Sequence, residues 1–177
     1  MVQIRPATPD DAEAIGVVHM AAWRETYGHL LSEAFFAEHT PEASVARWRR
    51  TLARIDPPPV VHIAVAEPGD SAADAAGPNP TPEPGRVLGF VWSGPSFTEN
   101  APRDRELYAL YVLASQHGTG VGQRLLDTAI GDSAVSLWVA EDNPRATAFY
   151  RRNGFEFDGT RDVVPSMENI VELRMVR

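Results

Sequence analysis

The sequence has no cysteine and no lysine. Without cysteine there is no disulfide, no thiolate metal site and no thiol nucleophile. Without lysine there is no side-chain primary amine. All 16 basic residues are arginine, a bias that G+C-rich coding accounts for. No apolar stretch approaches the roughly 18 residues of a membrane span. The segment Met1-Val2-Gln3-Ile4-Arg5-Pro6 lacks the apolar core of a signal peptide. A cytoplasmic protein with no membrane partner is therefore expected. Positive charge is also short: the net charge is −8. That balance argues against a nucleic-acid partner and suits a cationic amine. The five histidines show no ligand spacing, so no metal site is expected.

What is present is ordinary for a globular chain: 44% hydrophobic and 23% charged residues in a length of 177. This supports one domain over 1–177 with its own core. Proline and glycine crowd into 67–85. That stretch cannot bury apolar surface and reads as a flexible surface loop.

Val2–Arg5 alternates as a first strand. Thr8-Pro9-Asp10-Asp11 opens a helix that stops near Gly28. Residues 32–39 and 41–54 form a second helical region with a break expected at Thr40-Pro41. Val60–Ala66 and Arg86–Trp92 are strands flanking the proline-rich loop, as in a hairpin. Strand 105–113, a helix from about 120 to 132, strand 135–139, helix 144–152, strand 155–160 and strand 170–176 complete the chain. The order β-α-α-β-β-β-α-β-α-β-β predicts an α/β (α+β) fold. Its mixed sheet would hold about seven strands, with about four helices on both faces.

Two stretches carry chemistry. In His117-Gly118-Thr119-Gly120-Val121-Gly122-Gln123 a glycine-rich turn joins a strand to a helix. Its backbone can approach a ligand closely, and the helix N-terminus favours an anion, so the turn suits a phosphate. Gln123-Arg124 follows the last glycine where a Walker A loop needs Lys-Ser/Thr. The third glycine also comes one residue early for a dinucleotide fingerprint. The second stretch is Asn143-Pro144-Arg145-Ala146-Thr147-Ala148-Phe149-Tyr150-Arg151-Arg152-Asn153-Gly154-Phe155. Asn143 is a helix cap, and Asn143, Ala146 and Tyr150 share one helical stripe.

Together these stretches resemble the GCN5-related N-acetyltransferase (GNAT) superfamily over essentially the whole chain. The glycine run matches its (Gln/Arg)-x-x-Gly-x-(Gly/Ala) loop, with His117 standing where Gln or Arg is usual. The later stretch matches Asn-x-x-Ala-x-x-Phe-Tyr-x-x-x-Gly-Phe. The resemblance implies transfer of an acetyl group from acetyl-CoA, as co-substrate, to a primary amine by direct attack. It implies that Tyr150 is the general acid and that amides from Gly118 to Gln123 hold the pyrophosphate. Tyr111, Val112 and Leu113 would hold the pantetheine and acetyl carbonyl. Asn143, Ala146 and Tyr150 would line the cofactor.

The family's catalytic glutamate matches Glu106, which strand alternation places on the face of Tyr108, Leu110 and Val112. Tyr108 would bind the amine or relay its proton. Trp23, Tyr27 and His29 are the acceptor-pocket candidates, with plain helix-edge packing as the competing reading. A small-molecule or peptide amine is the implied acceptor, and a homodimer through an edge strand is compatible with the family. Two alternatives stand beside this reading: a non-catalytic acetyl-CoA sensor and a toxin-type aminoacyl-tRNA acetyltransferase.

Overall fold

The computed structural model describes residues 1–54, 60–68, 83–98 and 100–177. Most of the proline-rich stretch, residues 69–82, lies outside the described residues. Seven strands form one open mixed sheet in the order β1-β2-β3-β4-β5-β7-β6. They are β1 (Val2–Pro6), β2 (Val60–Ala66), β3 (Val87–Pro95), β4 (Arg105–Val112), β5 (Ser136–Ala140), β6 (Glu156–Val164) and β7 (Ile170–Val176). Every pairing is antiparallel except β4 with β5.

Among the described residues there are five α-helices: α1 (Ala12–Tyr27), α2 (Glu33–Glu38), α3 (Pro41–Leu52), α4 (Val121–Ile130) and α5 (Pro144–Arg152). The expected second helical region is thus two helices. Thr40 accepts from the amide of Ala43 and Pro41 takes the first turn, so the chain stops and restarts where proline forbids a continuous helix. At the front of α1, Pro9–Asp11 is a 3-10 turn. The Asp11 carboxylate accepts from the Thr8 amide and from both Arg5 guanidinium nitrogens at 2.7–2.8 Å. Those contacts hold the Asp11 carboxyl down to about 2.

The two faces of the sheet differ in what they bury. On one, α4 and α5 lay Val121, Leu125, Leu126, Ile130 and Tyr150 over Leu88, Leu107, Leu137, Val139 and Met175. Fully burying an aliphatic side chain of this size contributes about 1.5–3 kcal/mol. On the other face, α1 and α3 set Ile15, Val18 and Trp48 against Ile63 and Phe90. Farther along, α2 adds Phe35 and Phe36 beside Tyr27, Ala140 and Ile170.

One irregularity shapes the middle of the sheet. Trp92 pairs with Ala109, but the next residue, Ser93, pairs with Leu107. Tyr108 is therefore the extra residue of a β-bulge, which bends and twists its strand. β4 and β5 stay paired only at Glu106–Ser136 and Leu107–Leu137. Beyond those two pairs the strands diverge, and a cleft opens between them.

Candidate active site

The cleft is a cavity of about 330 Å³. Its walls are β4 from Leu107 to Val112, the residues Trp138 and Val139 of β5, the glycine turn and α5. All four tyrosines of the chain line it: Tyr27, Tyr108, Tyr111 and Tyr150.

The glycine turn meets the cavity with backbone. Gly118 and Gly120 have φ of +78° and +87°, left-handed values that glycine adopts without strain. A Cβ at either position would meet no protein atom within 4 Å, so the space beside them is open. The ladder of α4 begins when the Arg124 amide donates to the Gly120 carbonyl. Among the described residues, the amides of Gly118, Gly120, Val121, Gly122 and Gln123 take no part in the turn's own hydrogen bonds. Free N–H groups at the positive end of a helix dipole fit a pyrophosphate. Of the residues assigned to this turn, Thr119 and Val121 do not line the cavity with side chains. The Thr119 hydroxyl donates to the Gln116 carbonyl and Val121 is core.

His117 lines the cavity at the position where the family pattern has Gln or Arg. Its Nε2 lies 3.1 Å from the Val112 carbonyl and its Nδ1 lies 2.7 Å from a guanidinium nitrogen of Arg145. A carbonyl accepts and a guanidinium donates, so the ring carries its proton on Nε2 and accepts at Nδ1. Arg145, at the start of α5, is a cavity residue that sequence reasoning missed, although it sits inside the second motif. Asn143 caps α5, its Oδ1 accepting from the Ala146 amide at 3.1 Å, and lines the cavity beside Ala146.

Tyr150 is 8% exposed. Burial, with a smaller contribution from nearby Tyr27, raises its phenol well above the ordinary tyrosine value. No hydrogen bond contributes to that shift. Tyr111 behaves differently: it accepts from Trp23 Nε1 at 2.8 Å and is hydrogen-bonded to Tyr27. Burial raises it well above its usual range too. Trp23 therefore reaches the site through Tyr111 and does not itself line the cavity.

His19, one turn earlier on α1, packs edge-on to Trp23, Trp48 and Phe90 and accepts from Trp48 Nε1 at 3.2 Å. Burial, aided by the charge of Arg47, lowers it to about 4. Its ring is neutral at pH 7. His29 is exposed and does not line the cavity. Leu113 is buried against the α1 and α3 core, and its amide donates to Leu88; it does not line the cavity either.

Glu106 lies on the face opposite to the expected one. Leu107, not Glu106, joins Leu110 and Val112 over α4, while Ala109 and Tyr111 face α1. The bulge at Tyr108 reverses the alternation that an unbroken strand would keep. Glu106 thus belongs to the α1 face. Its carboxylate accepts from the Ser96 hydroxyl at 2.9 Å. It does not line the cavity, but its charge acts on the phenol of Tyr108, which does. The Tyr108 hydroxyl donates to the Pro95 carbonyl, and its ring stacks on exposed Phe97 at 4.9 Å.

A profile of the acetyltransferase (GNAT) family matches residues 13–155. The chain belongs to the GNAT acetyltransferase family. Its relatives include an uncharacterised N-acetyltransferase of Bacillus subtilis, YuaI, which is 27% identical over 91% of this chain and 88% of its own length. A mycothiol acetyltransferase of Jonesia denitrificans is 38% identical over 43% of this chain and 25% of its own length. Among solved structures, a PaiA N-acetyltransferase of Thermoplasma acidophilum in complex with coenzyme A superimposes with a TM-score of 0.63. It is 19% identical, with 98% of each chain covered. This GNAT chain therefore shares its overall fold with that acetyltransferase.

Proposed function

We propose that the protein transfers the acetyl group of acetyl-CoA to a primary amine by direct attack, within a single domain that spans the chain. The observation that carries the reading is Tyr150, a buried phenol in the wall of the cleft whose raised pKa comes from burial, with no hydrogen bond contributing among the described residues. Acetyl-CoA supplies the acyl group as an activated thioester. The amides from Gly118 to Gln123 hold its pyrophosphate, with the His117–Arg145 pair at the rim. Asn143, Ala146, Tyr111 and Val112 line its path toward Tyr150.

An alkylamine with pKa near 10 must lose a proton before it attacks. The Glu106 carboxylate, outside the cavity wall, takes that proton from the α1 side through water. Tyr150 holds its proton at neutral pH because burial raises its phenol. It delivers that proton to the departing sulfur, whose thiol pKa is about 8.5. Tyr27 and Tyr108 complete the acceptor side of the same cavity. Trp23 acts behind them by fixing the Tyr111 hydroxyl.

The test is thiol release from acetyl-CoA across a panel of amines, peptide N-termini and aminoacyl-tRNA, a readout free of background from this cysteine-free chain. Turnover on an amine or peptide supports transfer. Tight acetyl-CoA binding without turnover on any acceptor would make the chain a sensor.

A further inference from the structure

A thioester carbonyl under attack gathers negative charge on its oxygen, and that charge needs donors already in place. The backbone of β4 offers few. The Leu113 amide donates to the Leu88 carbonyl of β3. Successive residues of an antiparallel ladder turn their backbone groups alternately toward and away from the partner strand. Tyr111, paired with Phe90, therefore faces β3, and Val112, paired with Gly89, faces the cleft. The Val112 carbonyl, 3.1 Å from His117 Nε2, points the same way. Of the amides of Tyr111, Val112 and Leu113, that of Val112 alone is turned to the cleft.

A side chain with a free proton stands nearby. Trp23 Nε1 can only donate, and it donates to the Tyr111 hydroxyl at 2.8 Å. The Tyr111 oxygen is thus an acceptor, and its single proton passes to Tyr27, its other hydrogen-bond partner. Tyr27 accepts from Tyr111 and keeps its own proton to give. Among the described residues, no second hydrogen bond contributes to its shift. The hydroxyl belongs to a ring only 7% exposed that lines the cavity. A buried donor of this kind is normally satisfied.

The cleft brings Tyr27 to the reacting group. Tyr27 packs with the α1 side of the sheet and Tyr150 with the α4–α5 side. Where β4 and β5 part, the sheet no longer separates the two, and both line one cavity. Each is close enough for Tyr27 to act on the Tyr150 phenol.

We propose that the Tyr27 hydroxyl is a catalytic donor to the carbonyl oxygen of the thioester, beside the Val112 amide and across the gap from Tyr150. This rests on the acetyl-transfer reading and adds a residue to its chemistry. The amine lone pair forms the C–N bond, and the carbonyl π pair moves onto oxygen, where Tyr27 and Val112 hold it. Collapse restores the carbonyl and breaks the C–S bond, and the Tyr150 proton goes to sulfur. The surplus proton on nitrogen returns through water to the Tyr150 phenolate.

The experiment is infrared difference spectroscopy of the protein saturated with acetyl-CoA labelled with carbon-13 at the carbonyl. Hydrogen bonds lower the carbonyl stretch, so the bound band should lie below that of the same compound in water. Tyr27→Phe should move it up, with acetyl-CoA affinity within a few-fold, and Tyr150→Phe should leave it in place. Thiol release by Y27F should fall about 10²–10³-fold, as on removal of one oxyanion donor. A bound band at or above the aqueous one in the natural protein overturns the proposal without any variant. So does a band that Y27F leaves unmoved, or that Y150F moves equally, and either result leaves acetyl transfer standing. A band that responds to Y27F as expected, without thiol release on any acceptor, keeps Tyr27 as the carbonyl's ligand and breaks the transfer reading.

Discussion

The two faces of the sheet bury similar kinds of surface but do different work. The α4–α5 face is mostly aliphatic, and its core is Leu, Val and Ile from α4 against Leu107, Leu137 and Val139. The α1–α3 face is aromatic, with His19, Trp23, Trp48, Phe90 and Tyr111 in ring-to-ring contact. Aliphatic packing has no polar atoms to satisfy, so it can brace a turn whose backbone amides stay free. The aromatic face carries ring N–H and O–H groups, and each buried one wants a partner. It meets that demand in two chains, Trp48 to His19 and Trp23 to Tyr111, the latter continuing to Tyr27. In the proposed reaction, one face presents backbone to the pyrophosphate and the other positions side chains around the reacting carbon.

The largest expected effect tests whether the aliphatic face contributes one reactive group. Tyr150→Phe should lower turnover by about 10²–10⁴-fold, the range for general acid catalysis, while acetyl-CoA affinity stays within a few-fold. Steady-state kinetics beside a binding titration separate the two, and unchanged turnover would remove Tyr150 as the acid.

Next comes the charge that the aromatic face cannot accept. His19 is held near 4, below its ordinary 6.5. The unfolded chain therefore binds a proton that the folded one refuses between those values. Stability falls as pH drops from about 6.5 toward 4, by about 3 kcal/mol for the whole shift. Thermal melts over that window should show the loss, and His19→Phe should flatten it. An unchanged slope in the variant would place the titrating group elsewhere.

A smaller effect belongs to the turn. Gly120→Ala forces a Cβ into left-handed backbone at a cost of about 1–2 kcal/mol and intrudes on the open space beside it. Acetyl-CoA affinity should fall about tenfold or more. A melting temperature that drops with affinity unchanged would mean the turn is only a connector. The smallest effect expected is Trp23→Phe, which keeps the ring and deletes the donor to Tyr111. A loss of about 1 kcal/mol in stability, with KM for the amine raised more than KM for acetyl-CoA, would confirm that the aromatic chain serves the acceptor side.

The same contrast explains what the sequence made legible. Elements set by local pattern came out at their observed limits: β2 at 60–66, α5 at 144–152 and β7 at 170–176. Caps and prolines mark such segments without help from the rest of the chain. The glycine turn and the Asn143 stripe were readable for the same reason. The side occupied by Glu106 was not. Alternation gave the wrong face because the bulge at Tyr108 exists only in the pairing of β4 with β3. By spacing alone, His19 is one more position on the α1 helix. Its neutral ring depends on Trp48 and Phe90, which arrive from α3 and β3.

One feature of the cleft also turns the protein into its own instrument. Since every tyrosine of the chain lines that single cavity, biosynthetic replacement of tyrosine by 3-fluorotyrosine would place fluorine nowhere else. The resulting fluorine NMR spectrum would hold four resonances, all reporting from the walls of the cleft. Coenzyme A and an amine, added in turn, would each be followed through the same four signals without spectral background from the rest of the fold.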